Sequence, residues 1–292
     1  MTITDNWDEF LTLSSTLFQI PIIKSGLFGP DSYFPQYVPN HPLTNCPNER
    51  TFSPVKMYSD ILIVQMIKHF ISQFLYFLMG VSLFAGIPLI AWGIFDARTY
   101  FGNIHRTLYT ILMILSTLLV VLFVPNQGRD SREGPAPVAR QKLAVLFLQV
   151  VSLLVVMVSP ISDKHGFMTM ANEFSVRTIG LVSAFVGYFL MNWSVVVLGK
   201  QFSINVTIQQ GHELITHGPY RLIRHPRYLG IILFLGGIAL VFDSLLSLML
   251  ILITVMVLIW RISEEEKLMR DTFLNAWDEY RKRTWRLIPY VY

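Results

Sequence analysis

The chain alternates long apolar runs with short polar stretches over its 292 residues. A helix needs about 20 mainly apolar residues to cross a bilayer. Runs of this kind cover residues 71–95, 107–124, 142–159 and 176–198, and two shorter ones follow at 228–242 and 244–260. The pattern predicts an all-α, polytopic integral membrane protein with about six transmembrane helices. The last two runs almost touch, so they predict a tight helical hairpin, with Asp243 or Ser244 capping its second helix. In the first run, "GIPLIAWG" places Pro88 where it kinks the helix. Beyond the hairpin, Met269, Phe273, Trp277 and Tyr280 recur at helical spacing between charged residues. They predict an amphipathic C-terminal helix that begins at Ser263 and ends before Pro289.

The polar stretches divide the chain into three parts. Residues 1–58, with seven prolines, read as an irregular cytosolic or interfacial arm whose patch "LFQIPIIKSGLF" is too short and broken to span. Residues 59–175 hold the first three spans, and residues 176–292 form the core that carries the chemistry. The N-terminus "MTITDNWDEF" lacks the basic-then-apolar order of a cleavable signal peptide. Charge sharpens the picture. The 125–142 loop carries Arg129, Arg132, Arg140 and Lys142, and the 199–227 loop carries Lys200, Arg221, Arg224 and Arg227. The alternate loops are poorer, with Arg98 and Arg106 in one and Lys164 in the other. This asymmetry puts both termini in the cytosol. It also accounts for the net charge of +4 without a nucleic-acid partner. Cys46 is the sole cysteine, which excludes an intrachain disulfide and a cysteine zinc site.

Two stretches carry candidate chemistry. The first is "VTIQQGHELITHGPYRLIRHPRYLG", ahead of the hairpin. His212 and His217 stand five apart, so "HELITH" fails the four-residue spacing that places two ligands on one helix face. No metal site is expected. Pro219 and Pro226 fix local backbone angles, while Gly218 and Gly230 allow close backbone approach. The expected product is a rigid polar turn at the membrane edge. The second stretch is "WRISEEE", directly after the last span. If the hairpin brings the two together, Arg261 becomes a cation at membrane depth beside a carboxylate, which is a functional-site hypothesis by default. No strand-borne glycine fingerprint, P-loop or serine elbow occurs.

Taken in order, these two motifs and the hairpin between them resemble the isoprenylcysteine carboxyl methyltransferase family. That family is part of a wider set of integral-membrane methyltransferases that includes the phospholipid methyltransferases. The resemblance covers roughly residues 176–290. It implies S-adenosylmethionine as cofactor, bound without a Rossmann fold. It further implies a cofactor pocket lined by His212, Leu214, His217, Tyr220, His225, Pro226, Arg227 and Tyr228, with Gln210 a weaker candidate. Glu265 would hold the cofactor, and Arg261 would sit at the substrate carboxylate. The implied substrate is a prenylated cysteine or a similar lipid-like acid. The implied location is the endoplasmic reticulum in a eukaryote or the inner membrane in a bacterium. "HPRY" carries Arg227 where a small residue is frequent in the prenylcysteine enzymes, which leaves the acceptor open. A phospholipid or thiol methyltransferase, a membrane sterol reductase using a nicotinamide cofactor, and a non-enzymatic membrane organiser are the competing readings.

Overall fold

The computed structural model describes residues 54–123, 139–170, 174–199 and 213–291, with side chains from residue 63 in the first segment and residue 140 in the second. The arm over residues 1–53 lies outside the described residues. The elements are α1 Pro54–Val81, a π turn at Ser82–Gly86, α2 Ile87–Trp92, α3 Ala97–Phe101 and α4 Ile104–Phe123. They continue with α5 Ala139–His165, α6 Phe174–Leu198, a 3-10 turn Gly218–Arg221, α7 Pro226–Val241, α8 Leu245–Phe273 and α9 Asn275–Arg283. Among the described residues, five stretches are long and apolar enough to cross a membrane: Ile63–Trp92, Ile104–Phe123, Arg140–His165, Phe174–Leu198 and Leu245–Phe273. The all-helical, polytopic membrane class read from the sequence holds.

Several details differ from the sequence reading. The first helix starts at Pro54, inside the stretch read as irregular. Pro88 does not simply bend it. The helix widens into a π turn just before, and Pro88 sits at the start of α2, where its missing N–H is tolerated. The third span runs through Pro160 to His165 instead of stopping at residue 159. The fifth predicted span is a 16-residue helix, shorter than a full crossing. The sixth does not end at residue 260, and no new helix starts at Ser263. A single 29-residue helix runs to Phe273, and the Ser263 hydroxyl donates back to the Ile259 carbonyl. The amphipathic stripe is cut by Leu274, whose φ of 45° ends α8. Trp277 and Tyr280 are then buried from the separate helix α9.

The hairpin geometry sets the site. Its turn is tight because Asp243 adopts φ 55° and Ser244 caps α8, its hydroxyl accepting from the Ser247 N–H at 3.2 Å. Helices rise about 1.5 Å per residue, so an antiparallel partner of α7 comes level with residue 226 near residue 260. The short α7 therefore places its first turn beside Arg261, and α8 overshoots it.

Helices α6 and α7 pack backbone to backbone through small residues. A Cβ on Gly187 would stand 2.3 Å from the Phe234 nitrogen, and one on Gly237 2.2 Å from the Ala184 nitrogen. Such seams are how membrane helices gain van der Waals contact without a hydrophobic drive. The far end of the bundle is pinned by charge. Asp163 pairs with Arg106 at 3.0 Å and Arg177 at 2.7 Å, and Arg177 also donates to the Val241 carbonyl at 2.6 Å and lies 3.7 Å from Asp243. The Arg106 guanidinium lies 4.0 Å above the Trp92 ring. This network ties α4, α5 and α6 to the hairpin turn. The packing yields a direct expectation. Gly187→Val and Gly237→Val each destabilise the protein by about 1–3 kcal/mol or more through overpacking. Gly236→Ala, whose Cβ meets nothing within 4 Å, is tolerated. Thermal unfolding in detergent distinguishes the three variants, and equal melting temperatures would contradict the close seam.

Candidate functional site

The near end of the hairpin gathers the two motifs. The turn Gly218–Arg221 starts from a left-handed Gly218, φ 59°, and a Cβ there would press on Val197 at 2.9 Å. The turn is thereby seated against the end of α6. Its Tyr220 is buried, reaches the Ser194 carbonyl at 3.5 Å, and takes a 2.7 Å hydrogen bond from the Tyr280 hydroxyl on its own carbonyl. Burial raises the Tyr220 hydroxyl pKa far above its ordinary value, so that side chain stays neutral.

The C-terminal segment closes over this turn. Arg224 N–H donates to the Trp285 carbonyl at 2.8 Å, His225 N–H to the Arg286 carbonyl at 3.2 Å, and Trp285 N–H to the Leu222 carbonyl at 3.0 Å. This short extended pairing fixes "IRHP" in place before α7 begins. His225 precedes Pro226, which starts the helix where no N–H is needed.

The charged centre follows. Arg261, buried on α8, donates from Nε to the Tyr228 hydroxyl at 2.8 Å and to Glu265 Oε1 at 3.3 Å. The Tyr228 hydroxyl donates to the same Glu265 oxygen. His225 lies between two carboxylates, Nδ1 3.6 Å from Glu265 and Nε2 3.4 Å from Glu266, which is ion-pair range. Its ring stacks on Tyr228, with centroids 5.7 Å apart and planes at 11°. Burial works against a charged imidazole, yet the two carboxylates outweigh it and hold the His225 pKa above the ordinary histidine value.

The structure brings Tyr220, His225, Pro226, Tyr228, Arg261 and Glu265 to the same end of the hairpin. Arg227 is half-buried on the first turn of α7. Leu214 is half-buried and His217 exposed, both ahead of the Gly218 turn. Gln210 and His212 lie outside the described residues. The residue that sequence reading missed is Glu266. It accepts from Arg224 at 2.9 Å and from Arg286 at 2.9 and 2.7 Å, and so fastens the C-terminal segment to the turn. The run of three glutamates was visible, but its partner Arg286 stands twenty residues away behind a reversal of the chain.

Comparison with known proteins bears on this region. A family model described as "Isoprenylcysteine carboxyl methyltransferase (ICMT) family" matches residues 178–271. The resemblance seen in the motifs is to that family. The matched segment contains most of α6, all of α7, the turn between them and most of α8, and so includes Arg261, Glu265 and the "RHPRY" turn. Among relatives, a probable protein-S-isoprenylcysteine O-methyltransferase of Oryza sativa subsp. indica is 26% identical over 165 residues, covering 54% of this chain and 84% of its own. The protein-S-isoprenylcysteine O-methyltransferase of Schizosaccharomyces pombe is 30% identical over 126 residues, covering 40% of this chain and 52% of its own. The solved structure of the eukaryotic intramembrane Ras methyltransferase ICMT aligns over 81% of this chain and 90% of its own, at 18% identity and a TM-score of 0.38.

Chemically, the site offers a fixed guanidinium, a carboxylate and flat aromatic faces within one hydrogen-bonded unit at the membrane edge. Its pH response has a definite sign. A histidine with a raised folded pKa contributes stability that is fully present below about pH 6.5 and is lost as pH rises through the folded value. His225→Gln therefore flattens the melting temperature over that rise. Parallel wild-type and variant curves from acid to alkaline pH would show that the imidazole is not held between the two carboxylates.

Proposed function

We propose that this protein is a membrane methyltransferase that moves a methyl group from S-adenosylmethionine to the carboxylate of a prenylated cysteine. The observation that carries the reading is the Tyr228–Arg261–Glu265 unit, formed across the hairpin within the segment that matches the family. The names of the relatives support the acceptor class, and the physical chemistry of the site supports the donor.

The residues suit a cationic sulfonium donor. Glu265 supplies a carboxylate, and the Tyr228 ring beside it supplies a π face that favours a cation. Bound there, the donor supplies an electrophilic methyl carbon. Transfer forms an oxygen–carbon bond and breaks a sulfur–carbon bond, leaving a neutral thioether. A carboxylate acceptor is already ionised near neutral pH, so no side chain has to remove a proton. What the chain must provide is alignment at short range. Arg261 does this as a cation that does not deprotonate, held in direction by Tyr228 and Glu265. Its position on α8, level with the start of α7, puts it where a lipid tail remains in the bilayer while its acid end reaches polar surroundings. The excess of basic residues over 125–142 and 199–227 supports a cytosolic side for this end of the bundle, where the donor is available. In a eukaryotic cell this orientation fits the endoplasmic reticulum membrane.

The test separates binding from chemistry. Detergent-solubilised protein is titrated with S-adenosylmethionine and, separately, with reduced nicotinamide cofactor. The first binds and the second does not. Methyl transfer to a farnesylcysteine analogue is then followed with a labelled methyl group. Arg261→Ala loses transfer by at least about a hundredfold, well beyond the loss of donor affinity that follows from unpairing Glu265, as expected for a group that acts on the acceptor. Glu265→Ala loses donor affinity as well. Binding of the nicotinamide cofactor alone, or full transfer by both folded variants, would overturn the assignment.

A further inference from the structure

We propose that the exposed surface built from Arg221, Leu222 and the C-terminal segment from Arg281 to Val291 is a docking surface for anionic phospholipid headgroups. Two features coincide there. The first is apolar exposure: Leu222 is 54% exposed, Tyr290 87% and Val291 77%, with Trp285 and Ile288 also open. The second is positive charge: Arg221, Arg281, Lys282 and Arg283 are all exposed beside these residues. Glu279 bonds Arg283 at 3.1 Å, and Asp278 is engaged by Arg270, which leaves the surface positive.

The fold makes this one surface and not two. Trp285 N–H bonds the Leu222 carbonyl at 3.0 Å, the Trp285 and Tyr290 rings meet at 5.0 Å, and Arg224 donates to the Arg281 carbonyl at 3.2 Å. Its height is set as well. The turn carrying Arg221 and Leu222 rests on Val197 at the end of α6, and α7 begins four residues later at Pro226. The surface therefore sits at the level where apolar helices stop, which is the headgroup layer. Tyr and Trp rings favour that depth, and arginine stems cover apolar surface while their heads reach phosphate. A purely basic surface would suit an acidic polypeptide equally well. The interleaved Leu222, Trp285, Ile288, Tyr290 and Val291 favour lipid.

The test uses full-length protein in mild detergent, titrated with headgroup-labelled phosphatidylserine, labelled phosphatidylcholine and a polyglutamate peptide. Phosphatidylserine binds most tightly, and added salt weakens it. The triple variant Arg281→Gln, Lys282→Gln, Arg283→Gln loses phosphatidylserine affinity by about fivefold per charge removed. Its melting temperature serves as the folding control. Tyr290→Ser with Val291→Ser weakens binding at high salt too, which reads the apolar contribution separately. Equal binding of the two lipids, an unchanged preference in the folded triple variant, or tighter capture of polyglutamate would each overturn the proposal.

Discussion

A carboxylate buried at a membrane edge is costly unless donors surround it. Buried Glu266 and half-buried Glu265 stand next to each other on α8, and their pairing organises this end of the molecule. Successive helical residues point about 100° apart, so Glu265 and Glu266 face different neighbours. Glu265 takes Tyr228 and Arg261, which joins the start of α7 to α8. Glu266 takes Arg224 and Arg286, which joins the turn to the C-terminal segment. His225 lies between them, and both hold its pKa above the ordinary histidine value. Removing one member of such a set leaves the rest buried without compensation, which is why each residue there constrains the next.

The remainder of the fold brings these partners to the same height. The glycine seam lets α6 and α7 approach backbone to backbone at Gly187 and Gly237, fixing the level of α7 against α6. The far-end network of Arg106, Asp163, Arg177 and Asp243 fixes the hairpin turn. Between these two anchors the lengths of α7 and α8 decide what faces what. A full-length α7 would carry the "RHPRY" turn past Arg261. The 16-residue helix does not, so its brevity is part of the site.

Much of this was legible in the sequence because hydrophobic runs and turn residues report local structure. Five of the spans, the hairpin, the Ser244 cap and the meeting of Arg261 and Glu265 with the histidine turn followed from such signals. The continuation of α8 to Phe273 did not, because polarity changes at Arg261 while the backbone stays helical. That change of polarity marks the membrane edge and not the end of the helix. Leu274 was silent because a leucine with positive φ has no sequence signature. The far-end pairs were hidden for another reason. Asp163 reads as a loop residue and Asp243 as a candidate cap, and only the fold places them against Arg177. Glu266 was visible as one of three acids, but its role depends on a partner brought back by α9.

The claim on which everything rests is that the two arms of the hairpin act as one unit through Tyr228 and Glu265. A double-mutant cycle on S-adenosylmethionine affinity tests it directly, using Tyr228→Phe, Glu265→Gln and the double variant. If the contact is real in the working protein, the two losses are non-additive by about 0.5–3 kcal/mol. Losses that simply add, to within about 0.3–0.5 kcal/mol, would show that the arms contribute independently and would contradict the account.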